Sequence, residues 1–425
     1  MYMQSKRNIV VVIVTLLLAV TIFMVSEVHA QRSEALPTGV EALLADYNQY
    51  LETGITTRNT AYSSQMKMLI AERKEYYTEF FAKGLHTDLT GLDAEFLTDE
   101  NMQIMRKGNV YYVNLFERVT MYGKPMTISP EEYPLIQAAK WALGQTDNKG
   151  IQQELNQYIE STTIGVNESI QNGVEIVFII KHDIEILSSQ NQFQIVKDAF
   201  TDKAMDNQQG FDNVIWANGK FVREKPNWDE MFDYAIYQST IEELGQSLLK
   251  DFQPAADRLD EQPLVVTYNR TTAKNYVLTY SSNPSQTWIA ECSANLRRNT
   301  NVWNPAYSYV WNVNATIRCN DCADFVSQAL KQGGIPQDST WLPAWNNYAW
   351  VNVTGLRDYL INTYDGIYLV SQTALQIGEP VIIPGTHIAM ASAINPILVS
   401  GHTNDRKNHP LAFDYTQFLH ISNNP

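Results

Sequence analysis

Four side chains toward the end of the 425-residue chain have the types and spacing for covalent chemistry: Cys322, His387, His402 and Asn404. Cys322 lies in Asn320-Asp321-Cys322-Ala323-Asp324-Phe325-Val326-Ser327-Gln328-Ala329-Leu330, followed by Lys331-Gln332-Gly333-Gly334-Ile335-Pro336. Phe325 or Val326, then Ala329 and Leu330, recur at helical spacing, and the glycines and proline supply a stop. The thiol therefore falls in a helix's first turn, where the dipole and free backbone N–H groups favour thiolate, the nucleophilic form. The competing reading is a small buried core residue, so the presence of a base decides. His387 opens an apolar, strand-like run to Ile394; Asn395-Pro396 ends it, and Ile397 to Asp405 returns. A cysteine heading a helix and a histidine heading a later strand make the pairing that thiol catalysis needs.

The hairpin also suggests a third member. If Asn395-Pro396 is a two-residue turn, His387 faces Asn404, and His402 is the diagonal neighbour on the same face. The Asn404 amide oxygen would then fix the imidazole tautomer, with His402 the second choice, unless a register slip or a bulge at Gly401 intervenes.

From Tyr268-Asn269-Arg270-Thr271-Thr272-Ala273, through the cysteine stretch, to His402-Thr403-Asn404-Asp405-Arg406, the sequence resembles the bacterial putative amidase domain family. That family is similar to the papain-like cysteine, histidine-dependent amidohydrolases and peptidases of bacterial walls. The resemblance covers roughly residues 264–422 and implies a papain-like α+β fold and amide hydrolysis. Asp324 stands where the family usually has asparagine, and Glu379-Pro380 replaces the usual Gly-Asp entry to the histidine strand. Both departures bear on substrate detail rather than on the chemistry.

The elements that must position these groups emerge from the rest of the chain. Length and 44% apolar residues provide for two or three packed domains. A net charge of −15 argues against nucleic-acid partners, whose phosphates it would repel. Lys6 and Arg7 precede an apolar run from Ile9 to about Val25, and Val28-His29-Ala30 offers a cleavage site, so residues 1–30 read as an export signal, with an uncleaved anchor as the alternative. Work outside the cytoplasm, secreted or envelope-attached, is expected. In such a compartment Cys292 and Cys319 can pair and leave Cys322 free. No second Cys/His pair supports a zinc site, and neither metal nor cofactor is expected.

Residues 31–252 read as an accessory α+β domain. Helices run from Glu34 to about Gly84, a strand covers Val110 to Val119, and a hairpin joins Glu175–Leu187 to Phe193–Phe200. His182, between Lys181 and Asp183, reads as a solvated strand residue. Asp202 to Trp228 reads as a long loop, and a helix from about Trp228 to Phe252 closes the domain. Helices followed by long strands suggest a cone like that of nuclear-transport-factor-like folds, suited to a ligand or to contacts with the wall or envelope. Residues 253–263 form a linker, and 264–425 make the papain-like domain, expected to fold alone. Aromatic clusters at 303–311 and 341–350 could wall a cleft or fill a core.

The sequence thus points to an α+β protein: a secreted cysteine amidohydrolase acting on a peptide or peptidoglycan-like substrate, Cys322 being nucleophile and His387 base. Its rivals are a binding protein with an inactive scaffold and a cysteine acyltransferase.

Overall fold

The structure, a computed structural model, describes residues 37–97, 102–190, 192–202, 215–217, 220–222, 232–256, 266–283, 299–403, 405–411 and 415–422. Helix α1 (Thr38–Thr53) buries Val40, Leu43, Leu44, Tyr47, Tyr50 and Leu51, the helical stripe seen in the sequence, and ends at Gly54 with φ +72°. Helix α2 (Ser64–Glu79) starts where the Ser63 hydroxyl accepts from the Met66 amide. Both pack on an antiparallel sheet of order β1 (Thr87–Leu97), β3 (Val110–Pro125), β4 (Val174–Ser189), β5 (Gln192–Asp202), with β2 (Gln103–Lys107) also on β3. Strand β3 alternates between buried and less buried positions from end to end, because only one of its faces is covered by the helices.

His182 differs from expectation: it is fully buried. It shares strand parity with Ile180, Ile184 and Ile186, which point inward, while Lys181 and Asp183 point outward. Its Nδ1 meets Asp198 at 2.6 Å and its Nε2 meets Glu117 at 2.9 Å; Arg73 pairs with Glu117 at 2.8 Å, and the Tyr47 hydroxyl donates to Asp198. Burial would depress this imidazole, but the two carboxylates outweigh it and push it up to about 9.

Between the two sheets lie α3 (Pro134–Leu143), α4 (Lys149–Asn172), α5 (Phe232–Gln238) and α6 (Ile241–Asp251). The single helix expected from about Trp228 to Phe252 is two, since Thr240 and Glu243 form a reciprocal capping box that restarts the chain. Part of the expected loop after Asp202 is a ribbon of β6 (Ile215–Ala217) and β7 (Lys220–Val222).

The C-terminal sheet has six antiparallel strands in the order β12 (Arg406–Pro410), β11 (Ile397–Gly401), β10 (His387–Ile394), β9 (Pro380–Ile383), β13 (Gln417–Ile421), β8 (Ile367–Val370). Helices α7 (Arg270–Tyr280), α8 (Cys322–Gln332), α9 (Tyr348–Val351) and α10 (Val353–Thr363) share one core with Ile388 and Met390 of β10. Ala389 and Ala391, pointing the other way, share a second core with Leu135, Leu155, Tyr158, Leu244 and Phe252 from α3, α4 and the α6 end. The fold is α+β, and residues 133–252 and 374–418 contribute to one continuous core. This explains why β10 reads as an unbroken apolar run: it is covered on both faces.

A buried charge cluster crosses the same junction. Glu379 accepts from Arg270 at 3.1 Å and from the backbone amides of Gln376 and Ile421, and pairs with His420 Nδ1 at 2.9 Å; His420 Nε2 reaches Glu154 of α4 at 3.1 Å. Burial opposes charge on His420, yet Glu379 and Glu154 push it up to about 9. A histidine raised on folding stabilises fully below its ordinary value and loses that contribution as pH rises through about 9. Melting temperature should therefore hold below about pH 6.5, fall progressively between about pH 6.5 and 9, and level off above that as far as this group is concerned, as circular dichroism at stepped pH would show. His420→Gln should make that fall shallower, His182 keeping its own share. Among the described residues no helix is long and apolar enough to cross a membrane.

Candidate active site

Cys322 is the first residue of α8 and only 4% exposed. Burial pushes its thiol above the ordinary value, and the Asp321 charge adds to this; the Ile388 amide, the Thr403 hydroxyl and the Ala323 amide act in the opposite sense. The helix-start position thus does not by itself produce the thiolate that its dipole suggests, because desolvation in a dry core is the larger effect. The sulfur lies in the fork between β10 and β11, whose ladder runs from Ile394–Ile397 to Met390–Ser400, short of Ile388. Cys319 is disulfide-bonded and Cys322 is the free thiol; Cys292 lies outside the described residues.

His387 heads β10 opposite Ile383, immediately before the amide that faces the sulfur. Ile383 packs toward the second core, and the His387 ring lies 6.1 Å from that of Tyr415, a member of the same core. The imidazole therefore starts on the Tyr415 side of the strand, at its very end beside the exposed turn 384–386.

His402 is held elsewhere than expected. Its Nδ1 is 2.6 Å from Asp321 Oδ2 and its Nε2 is 2.7 Å from the Tyr280 carbonyl, while the ring is sandwiched between Phe325 at 3.7 Å and Trp303 at 4.5 Å. Both partners are acceptors, so both nitrogens donate and the ring is an imidazolium. Burial works against that charge, and Asp321 raises the imidazole in spite of it. The side chain staples the start of α8 to β11 and to the end of α7. His402→Ala strands a buried Asp321, a loss on the order of 3–5 kcal/mol for a broken buried pair; chemical denaturation should show it, with a smaller loss for His402→Gln.

Asn404 lies outside the described residues. The register that would place it opposite His387 is nevertheless altered. Ile394 pairs with Ile397 as the two-residue turn requires, but Ser392 is an extra residue, so Ala391 faces Val399 and Met390 faces Ser400. The serines that mark this bulge were visible as polar interruptions: Ser392 Oγ donates to the Leu398 carbonyl, and Ser400 Oγ donates to Ser392 Oγ at 3.0 Å.

Three groups at the sulfur escaped the sequence reading: the Ile388 amide, Thr403 and Asp321. Thr403, at φ +62°, follows His402 where β11 ends, and only the fork between the strands gives it a role. The aromatic clusters divide. Trp303, Tyr307, Trp311, Trp341 and Trp350 are core, whereas Tyr309, Trp345 and Tyr348 are 52%, 48% and 62% exposed. Among the described residues no group of three or more His, Cys, Asp or Glu side chains could hold a metal ion.

A cysteine thus heads a helix packed on an antiparallel sheet, and a histidine heads a strand of that sheet, in an α+β fold. Residues 267–421 match the family described as Putative amidase domain, so the coarse activity indicated for this segment is hydrolysis of amides. No curated protein and no solved structure matches the chain.

Proposed function

We propose that the protein is an exported cysteine amidohydrolase acting on peptide amides, with cell-wall peptides as its substrate class. The observation that carries the reading is the free, buried Cys322 thiol that heads α8 and shares a core with Ile388 of β10, inside the amidase-matching segment. Because burial disfavours a standing thiolate, attack requires proton removal as the substrate arrives. His387 heads β10 with its ring on the Tyr415 face, opposite the core that holds Cys322. It is the proposed base and must turn around the strand end to reach the sulfur, and the Cys322 backbone N–H is the proposed oxyanion donor. The sulfur adds to the amide carbonyl, the imidazolium protonates the departing amine, and water then cleaves the thioester, restoring thiol and imidazole. His402, with both nitrogens engaged, acts by holding Asp321 and the helix start. Export rests on Lys6, Arg7, the apolar run and Val28-His29-Ala30.

The buried, raised thiol also favours a second reading, a binding protein whose cysteine is structural. Incubation of the purified protein with wall fragments and peptides, followed by mass spectrometry of released amines, separates the two. Amine release by the wild type and none by Cys322→Ala is the expected result; none from either protein would favour the scaffold, and release unaffected by the substitution would overturn Cys322 as the nucleophile.

A further inference from the structure

Five buried carboxylates among the described residues pair with a histidine, whereas buried Asp233 accepts from the Ile397 backbone amide. Glu117 and Asp198 meet His182, Glu154 and Glu379 meet His420, and Asp321 meets His402. Asp324, fully buried on the first turn of α8 and two residues from Cys322, is not among the five: its hydrogen-bonding neighbours are neutral. Trp350 Nε1 donates to Asp324 Oδ1, and the Gln328 amide lies against the carboxyl one turn on. Gln328 Oε1 accepts from the Tyr276 hydroxyl, which accepts from Asn304 Nδ2 at 3.0 Å. Around this chain stand Asp321, a like charge; His402, whose nitrogens serve Asp321 and the Tyr280 carbonyl; the phenols of Tyr276 and Tyr309; and Lys331, which sits over the Tyr307 ring.

On the reading of Cys322 as nucleophile, we propose that Asp324 is a positioning residue that works in its acid form, and that its ionisation withdraws the nucleophile. With Oε1 taken by Tyr276, Gln328 turns its amide N–H toward the carboxyl, so a neutral chain runs from Asn304 through Tyr276 and Gln328 to Asp324 and Trp350 and ties α8 to α7 and α9. Asp324 Oδ2, buried without a hydrogen-bond partner among the described residues, is the oxygen that would carry the acid proton. Loss of that proton to solvent leaves a carboxylate with no cation of its own, and a second negative charge beside Asp321 within one turn of the sulfur. Both charges disfavour thiolate. Burial is the largest influence on this group; Gln328 opposes it, Asp321 reinforces it, and the carboxyl is pushed up to about 7. The gate would therefore operate in the neutral range.

The full chain and its Asp324→Asn variant test this by two readouts that need no substrate. The first is the 15N indole resonance of Trp350, assigned with Trp350→Phe. It should titrate near pH 7 in the wild type and stay still in Asp324→Asn. The second is the rate of Cys322 alkylation by iodoacetamide. The two proteins should react alike at pH 5.5, and the variant on the order of 10-fold faster at pH 8.5, the effect of about one pKa unit at the thiol. An indole resonance that does not move between pH 5 and 9 in the wild type, or one that titrates equally in the variant, would overturn the proposal, as would a rate ratio that is the same at both pH values. Should the variant not fold, the wild-type titration still decides. If both readouts behave as expected but no amide is cleaved, the hydrolase reading fails and the coupling of Asp324 to Cys322 stands.

Discussion

Cys322→Ser should reduce amide hydrolysis by roughly 10³-fold or more, because removal of a nucleophile that acts as a unit with its base leaves only binding and oxyanion contributions. The hydroxyl is smaller than the thiol by little and can still accept from the Ile388 amide and meet Thr403, so the fork between β10 and β11 has no reason to open. Melting temperature should then stay within about 2 °C of the wild type, since a near-isosteric core change costs under about 1.5 kcal/mol. Amine release and thermal denaturation, measured on one preparation, check both halves. Undiminished turnover would remove Cys322 from the chemistry, and a collapsed melting curve would mean that the thiol serves packing first.

A fragment comprising residues 264–425 should not fold by itself, contrary to what the sequence suggests. About half of the core on one face of its sheet comes from Tyr133 to Phe252. Without those residues Leu375, Ile377, Val381, Ile394, Ile397, Val399 and Phe418 would meet water. At about 1.5–3 kcal/mol for each large aliphatic or aromatic side chain, that exposure costs roughly 10–20 kcal/mol, as much as the 5–15 kcal/mol of net stability a whole domain has. Glu154 would also be missing, leaving His420 with fewer of its carboxylates. The expected result is an aggregating or dye-binding fragment without a cooperative transition, rescued by co-expression of residues 31–263. A soluble fragment that unfolds cooperatively near the whole protein's melting temperature would show that the shared core contributes little.

Local signals carried much of the fold. Helix α8 begins at Cys322 and stops at the glycines because its apolar spacing and breakers are contiguous in sequence. The hairpin from β4 to β5 turns where Ser188 to Gln192 interrupt two alternating runs. Helix α4 went unread although Asn148 caps it and Gly173 ends it. It buries a regular stripe of Ile151, Leu155, Tyr158 and Val166, while Glu154 and Gly165, which carry no hydrophobic signal, are inside where His420, Ile377 and Ile394, more than 200 positions later, lie against them. Glu379 likewise reads as a departure from a motif until Arg270 and His420 surround it.

At the site, sequence alone determined the candidate nucleophile: one thiol at the head of an amphipathic helix, with a histidine heading a strand downstream, is a pattern of residue types and short spacings that needs no third dimension. The tertiary structure decided everything about its surroundings. Whether the thiol is a standing thiolate depends on burial, and burial belongs to β10, β11 and the aromatic core rather than to the helix. The partner of His402 depends on Asp321, 81 positions away, and the register opposite His387 depends on one bulged serine. Electrostatics and pairing are set by distance through space, and a folded chain brings to within 3 Å groups that its sequence keeps far apart.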